Sequence, residues 1–386
     1  MSGAKTASTI GYYGAFIALG MTVAALGPTL PGLAAHMRTG LGAISVLFIA
    51  RSLGYLVGSF QGGRVYDRLP GHRILVAVLL LMAAMLALIP FVPQLWLLVA
   101  VVLILGVAEG MVEVGSNTLL LWVHGAQAAP FVNALHFFFG VGAFLAPIVV
   151  AQSLSLTNDT VHSYWAFALL ALPVAGWLIR LPSPRGEMGS EEAPSKRLDP
   201  TWIALVAIFF FLYAGVEHSV GGWIYTYATA MSPGSETSAA YLASAFWGAI
   251  TVGRLLAIPL TVRIQPQRMV WASLIGCLVC AGLFLLFPGF MPSVWIGSAG
   301  LGLCLAAIVP TTLAYVGRQM GITGRATGWF FVGLGSGAMT IPWLIGQLFE
   351  QVGPQAMVVT ILVELLLALG LFFLMTRHAV RPFSRA

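Results

Sequence analysis

The chain has 386 residues, 59% of them hydrophobic and only 8% charged. A soluble domain carries about 25% charged residues, and disorder requires low hydrophobicity with high net charge, so neither class fits. The net charge of +6 suits basic residues held on the cytoplasmic side of a bilayer, and no nucleic-acid partner is expected.

A membrane-crossing helix needs about 20 apolar residues. Apolar runs fall at about 8–30, 42–64, 74–90, 95–122, 130–152, 162–181, 201–230, 238–262, 269–288, 292–316, 324–349 and 356–376. They predict an all-α membrane protein of 12 transmembrane helices, arranged as two pseudo-symmetric six-helix bundles over 1–181 and 201–386. The polar stretch 182–200, PSPRGEMGSEEAPSKRLDP, reads as a cytoplasmic linker between them. The first run is longer than the apolar part of a signal peptide and has glycines throughout, so no cleaved leader is expected. With the N-terminus inside, 15 of the 18 Lys and Arg residues lie on the cytoplasmic side, Arg38 outside, and Arg51 and Arg254 within spans. That bias predicts two cytoplasmic termini. The expected setting is a bacterial plasma (inner) membrane, with the protein as a monomer in the lipid bilayer.

Between the second and third spans, Gly63-Arg64-Val65-Tyr66-Asp67-Arg68-Leu69-Pro70-Gly71-His72-Arg73 fits G-x-x-x-D-R-x-x-G-x-R. Asp67 at a helix end can accept from Arg64, Arg68 and Arg73 and from a facing helix N-terminus. The segment resembles the signature loop of the major facilitator superfamily, with Pro70 as an additional residue. The resemblance implies that Gly63, Asp67, Arg68, Gly71 and Arg73 form a conformational latch closing the cytoplasmic side. The matching loop of the second half, Arg263 to Arg268, has no acidic residue, so a latch there is weaker.

An ionisable residue at a helix centre costs at least about 2.5–3.5 kcal/mol on insertion scales. Arg51, Glu109, Glu113, Glu217, Arg254 and Glu364 are therefore candidates for function, with His136 and His218 beside them. Glu109, Glu113 and Asn117 occupy i, i+4 and i+8 of the fourth span, one helix face. Two nearby carboxylates do not both ionise cheaply, which suits proton coupling, and the same oxygens would suit a sodium ion. The alternative is a salt bridge to Arg51 or Arg254 that holds the bundle.

In the fifth span Asn133, His136 and Gly140 share a face. The seventh carries Tyr213, Glu217, His218, Trp223, Tyr225 and Tyr227, with Gly221 and Gly222 permitting a helix break of the kind that forms midplane substrate sites. Amide, carboxylate and imidazole suit sugar hydroxyls, and an indole suits the sugar's apolar face. Asn117, Asn133, His136, Glu217, His218 and Trp223 are the expected substrate contacts, converging on one central cavity. Tyr225 and Tyr227 read as an interfacial belt. Cys277, Cys280 and Cys304 read as inert thiols in apolar runs. No metal site and no cofactor is expected. The Gly-rich run 333–337 has no lysine and no preceding strand, and reads as a packing element.

Within the superfamily these segments resemble the fucose–proton symporter family and the related sodium-dependent glucose transporter-like proteins. The resemblance rests on Glu113-Val-Gly-Ser-Asn117, on Asn133-Ala-Leu-His136 with Gly140, Gly142 and Pro147, on Tyr213-x-Gly215-x-Glu217 through Gly222-Trp223 to Tyr227, and on Gly253-Arg254. It implies that Glu113 is the titrating carboxylate of the fourth span and that Asn133 and Glu217 face the substrate. The first span lacks the acidic residue that the fucose symporter carries there, so either Glu109 or Glu217 takes the second coupling role or the coupling differs. The expected function is secondary active transport of a small polar solute, a sugar, by alternating access with cation symport, H⁺ ahead of Na⁺. A proton-driven exporter of drugs or metabolites is the alternative. With no H-E-x-x-H and no G-x-S-x-G, an enzyme is not expected.

Overall fold

The computed structural model describes residues 3–184, 200–232, 234, 236–319 and 324–380. Its helices are α1 (Gly3–His36), α2 (Leu41–Ile44), α3 (Val46–Arg68), α4 (Gly71–Leu88), α5 (Leu95–His124), α6 (Ala129–Thr157) and α7 (Ser163–Leu178). After them come α8 (Pro200–Met231), α9 (Glu236–Arg263), α10 (Pro266–Leu286), α11 (Met291–Leu305), α12 (Ile308–Gln319), α13 (Gly324–Val352) and α14 (Gln355–Val380). Among the described residues, eleven stretches are long and apolar enough to cross a membrane, with α2–α3 and α11–α12 each counting as one. The sixth expected span is the shorter α7, of 16 residues. Most of the expected linker, 185–199, lies outside the described residues.

The helices pair in a pattern that repeats. In the first six spans α3 packs on α5, α1 on α6 and α4 on α7; in the last six α9 packs on α11, α8 on α13 and α10 on α14. Counted as spans, pairs 2–4, 1–5 and 3–6 recur six spans later. The two sets meet through α6 on α9, α3 on α13 and α1 on α8.

Small residues fix the separation of these pairs. Gly106 and Gly110 of α5 lie on the α3 backbone at Arg51 and Tyr55, and Gly54 and Gly58 of α3 lie on the α5 backbone at Leu103 and Val107, so a Cβ at any of them would strike main chain. In lipid, helices associate through such close packing, because no hydrophobic drive separates helix from acyl chain. The two backbones in contact bring Arg51 and Tyr55 opposite Glu109 and Glu113.

One end of the molecule is sealed. Gln347 Nε2 on α13 donates to the Gly42 carbonyl at 2.6 Å, and Ser45 Oγ lies 3.3 Å from the Trp343 carbonyl. At the opposite end the last turns of α3 are uncovered: Phe60, Gln61, Arg64, Asp67 and Arg68 are all exposed. A recess of about 480 Å³ is lined there by Gln61, Arg64, Val65, Arg68 and Leu69.

Candidate functional site

The polar side chains at membrane depth form a ladder between α3 and α5. Arg51 Nε lies 2.8 and 3.1 Å from the two carboxylate oxygens of Glu109, and its Nη1 donates to the Val23 carbonyl of α1 at 3.1 Å. Glu109 is fully buried. One turn along, Tyr55 Oη donates to Glu113 Oε2 at 2.5 Å. Both rungs join residues 58 positions apart. A helix pair in constant register with a period of about 3.6 residues gives this spacing. Asn117 Nδ2 turns back onto its own helix and donates to the Glu113 carbonyl at 3.0 Å.

The second half contributes a looser pair. Arg254 Nη2 of α9 lies 3.6 Å from Glu217 Oε1 of α8, beyond hydrogen-bond length, and the Arg254 side chain is 36% exposed. Tyr213 lies beside Glu217 on α8. The Arg254 guanidinium also acts electrostatically on Glu113 and on His136, both in the first half. Its charge therefore reaches the first half as well as Glu217.

His218, Arg51, Ser52, Gly27, Gly221 and Trp247 are among the residues around a cavity of about 20 Å³ at the junction of α1, α3, α8 and α9. That volume holds about one water molecule, so this part of the junction is closed to a solute. His218 Nδ1 donates to the Ala214 carbonyl at 3.1 Å. His136 is half-buried, edge-on to Phe16 of α1 with ring centroids 5.6 Å apart, and Asn133 is exposed near the start of α6.

Several expectations need correction. Trp223 does not offer its indole to a central cavity: it is fully buried, its Nε1 donates to the Pro342 carbonyl at 2.9 Å, and its ring stacks on Phe349 at 5.3 Å. Gly346 makes the space for it, since a Cβ there would press on the indole. The helix is not broken at Gly221 and Gly222; α8 runs continuously from Pro200 to Met231. The two glycines instead let α8 approach Gly27 of α1, Phe48 of α3 and Trp247 of α9. Tyr225 and Tyr227 are buried within the bundle rather than lying at its surface. Asp67 is exposed and, among the described residues, makes no ion pair with Arg64, Arg68 or Arg73; Arg64 stacks over Phe60 at 4.7 Å instead. Gly63 is half-buried in open space, and Gly71 begins α4 against Leu119.

Other residues went unnoticed in the sequence. Tyr55 lies four residues after Arg51, the interval that separates Glu109 and Glu113, and that match was the available signal. His72 is buried between Tyr12 Oη at 2.7 Å and the Leu181 carbonyl at 3.1 Å, so Nδ1–H donates to the carbonyl and Nε2 accepts from the phenol. It ties α1, the start of α4 and the end of the sixth span together. Nothing in the apolar patterning marks Gln347 and Ser45 as partners across the sealed end.

The sequence profile described as Major Facilitator Superfamily matches residues 12–333. Sodium-dependent glucose transporter 1A of Mus musculus is 31% identical over 376 residues, covering 87% of this chain and 88% of that protein. Sodium-dependent glucose transporter 1 of Xenopus laevis is 32% identical over 358 residues, covering 85% and 73%. Major facilitator superfamily domain-containing protein 4A of Homo sapiens is 25% identical over 453 residues, covering 91% and 88%. Two structures of the nucleoside transporter NupG superpose with TM-scores of 0.80 and 0.78 at 15% and 16% identity, covering 98% of this chain and 100% of theirs. At that identity the likeness is one of fold.

Proposed function

The chain belongs to the major facilitator superfamily, and from that premise we propose that it is a sugar–cation symporter working by alternating access. The observation that carries this reading is the row of intramembrane ionisable groups, Arg51–Glu109, Tyr55–Glu113 and Arg254–Glu217, where each unpaired charge would cost several kcal/mol. The sugar reading draws on the likeness to sodium-dependent glucose transporters. It draws also on the amide, imidazole and carboxylate of Asn133, His136 and Glu217, which offer the donors and acceptors that hydroxyls require. A drug exporter would need a greasier cavity.

Glu109 is committed to Arg51 and serves as scaffold. Glu113 is the coupling carboxylate, because its partner Tyr55 is neutral and it can gain a proton without stranding a charge. When ionised, Glu113 attracts Arg254 across the junction. When protonated, it releases Arg254 to Glu217 and loosens the tie between the halves. H⁺ is the ion that this geometry favours, through the single carboxyl oxygen held by Tyr55. Na⁺ is the second reading, favoured by the words "sodium-dependent" in the relatives' names. The two six-helix halves, 1–181 and 201–386, rock about the junction. The Asp67 end faces the cytoplasm of a plasma membrane, in keeping with its basic residues, and this form is inward-facing with its latch disengaged.

Purified protein in proteoliposomes tests the reading by uptake of a panel of hexoses and nucleosides, with pH and Na⁺ gradients imposed separately. Hexose accumulation driven by an inward proton gradient is expected. Accumulation driven by Na⁺ alone would replace the ion, and transport of apolar drugs without hexoses would overturn the substrate.

A further inference from the structure

Glu364 takes no part in the site described above. It lies on α14, is 3% exposed, and among the described residues neither of its carboxylate oxygens has a hydrogen-bond partner. It rests on α8 at Gly215, where a Cβ would collide with its Oε1, and Ile341 of α13 borders the same spot. Among the described residues α8, α10 and α13 pack most extensively on α14, and α12 touches it through Tyr315 on Phe372. On α8 the titratable residues that flank Gly215 in the chain are Tyr213 and Glu217; α10 carries Cys277, α12 carries Tyr315, and α13 presents Ile341. Among the described residues Glu364 makes no ion pair.

An ionised carboxylate without donor or counter-charge does not persist in such a setting; the form that fits is the neutral acid. A sodium ion would need several oxygens around it, and the neighbours Gly215 and Ile341 offer no side-chain oxygen. Gly215 and Glu217 lie two residues apart on α8, so that at about 100° per residue they face roughly opposite ways. Glu217 meets Arg254 at the junction between the halves, and Gly215 meets Glu364 behind it. Gly215 and Glu217 ride on the same helix, so a local adjustment of α8 within its own half as Arg254 changes partner, in addition to the rocking of the halves, displaces the backbone that covers Glu364.

We propose that Glu364 is a second proton-binding site of this protein, loaded in the form described here and emptied when α8 moves against α14. This rests on the transport reading. In the emptying step the carboxyl O–H bond breaks and the proton passes to a water molecule that reaches Glu364 as α8 shifts; reloading reverses it.

Two measurements on reconstituted protein test this. The first is infrared difference spectroscopy across a pH titration, comparing wild type with E364Q. A protonated-carboxyl stretch that is lost at high pH in wild type and missing in E364Q is expected. A band that persists at every pH would make Glu364 a locked structural acid and overturn the proposal. The second is transport by E364Q. Proton-driven accumulation is expected to fall by about an order of magnitude, with solute counterflow retained. Undiminished accumulation would also overturn it. If E364Q does not fold, labelling of wild type by a hydrophobic carbodiimide, located by mass spectrometry, replaces it. Labelling of Glu364 at low pH that fades at high pH is expected; protection by Na⁺ at constant pH, or no dependence on pH, would contradict the proposal. Failure of wild type to move any solute would count against the transport reading, while the infrared titration would still decide whether Glu364 exchanges its proton.

Discussion

Removing the carboxylate of Glu109 leaves Arg51, half-buried in the bundle, with the Val23 carbonyl as its remaining hydrogen-bond partner among the described residues. Breaking one side of a buried pair costs about 3–5 kcal/mol, whereas replacing both partners by apolar residues of similar volume is often neutral. Glu109→Gln is therefore expected to lower the thermal unfolding midpoint sharply, and Arg51→Met combined with Glu109→Met to recover most of the loss. Equal destabilisation by the single and the double change would contradict the pairing. The row itself was legible, because residues four apart on one helix share a face. Its partners were less so: Tyr55 is a neutral residue in an apolar span, and only the register of α3 on α5 identifies it. Trp223 was misjudged for a related reason. An aromatic ring after two glycines reads as a stacking surface, but its partners Pro342 and Phe349 lie on α13, more than a hundred residues later in the chain.

Among the elements, the α3–α5 pair carries the site. Its glycines place main chain against main chain, so Gly106→Val should force the helices apart and separate Arg51 from Glu109. The expected outcome is loss of stability and of transport together. Gly370→Val, at a position with nothing within 4 Å, should leave both unchanged. Equal effects at the two positions would remove the close-approach argument. The spans themselves were readable from apolar runs, for example 95–122 against Leu95–His124. The breaks inside spans were not. The tenth span divides between α11 and α12, where Pro310 lacks a donor and its ring crowds the carbonyl of Ala306 four residues before. The second divides at Ser45, whose Oγ donates to the Gly42 carbonyl at 2.6 Å. At Gly221 and Gly222 the reverse holds: packing against three neighbouring helices keeps α8 continuous where the sequence alone permits a break.

For the whole molecule, the repeat of pairings six spans apart means that the halves can move as bodies about their shared contacts. The contacts at the sealed end are then gates. A Cβ at Gly346 would collide with the Cβ of Ser45 and press on the Trp223 indole, so Gly346→Val should keep that end from closing. Transport should stop, while Gly370→Val, with open space around it, should leave it unchanged. Full transport by Gly346→Val would rule out a requirement for closure at this end. The equal halves were legible in the spacing of the runs. Which end is sealed was not, since it depends on contacts between residues some 300 positions apart, such as Gln347 with Gly42.

The central claim is that the Glu113 carboxyl links solute movement to an ion gradient. Glu113→Gln in proteoliposomes tests it most directly, with gradient-driven accumulation and counterflow exchange measured side by side. Retained counterflow with accumulation abolished is the expected result; undiminished accumulation would remove Glu113 from the coupling mechanism.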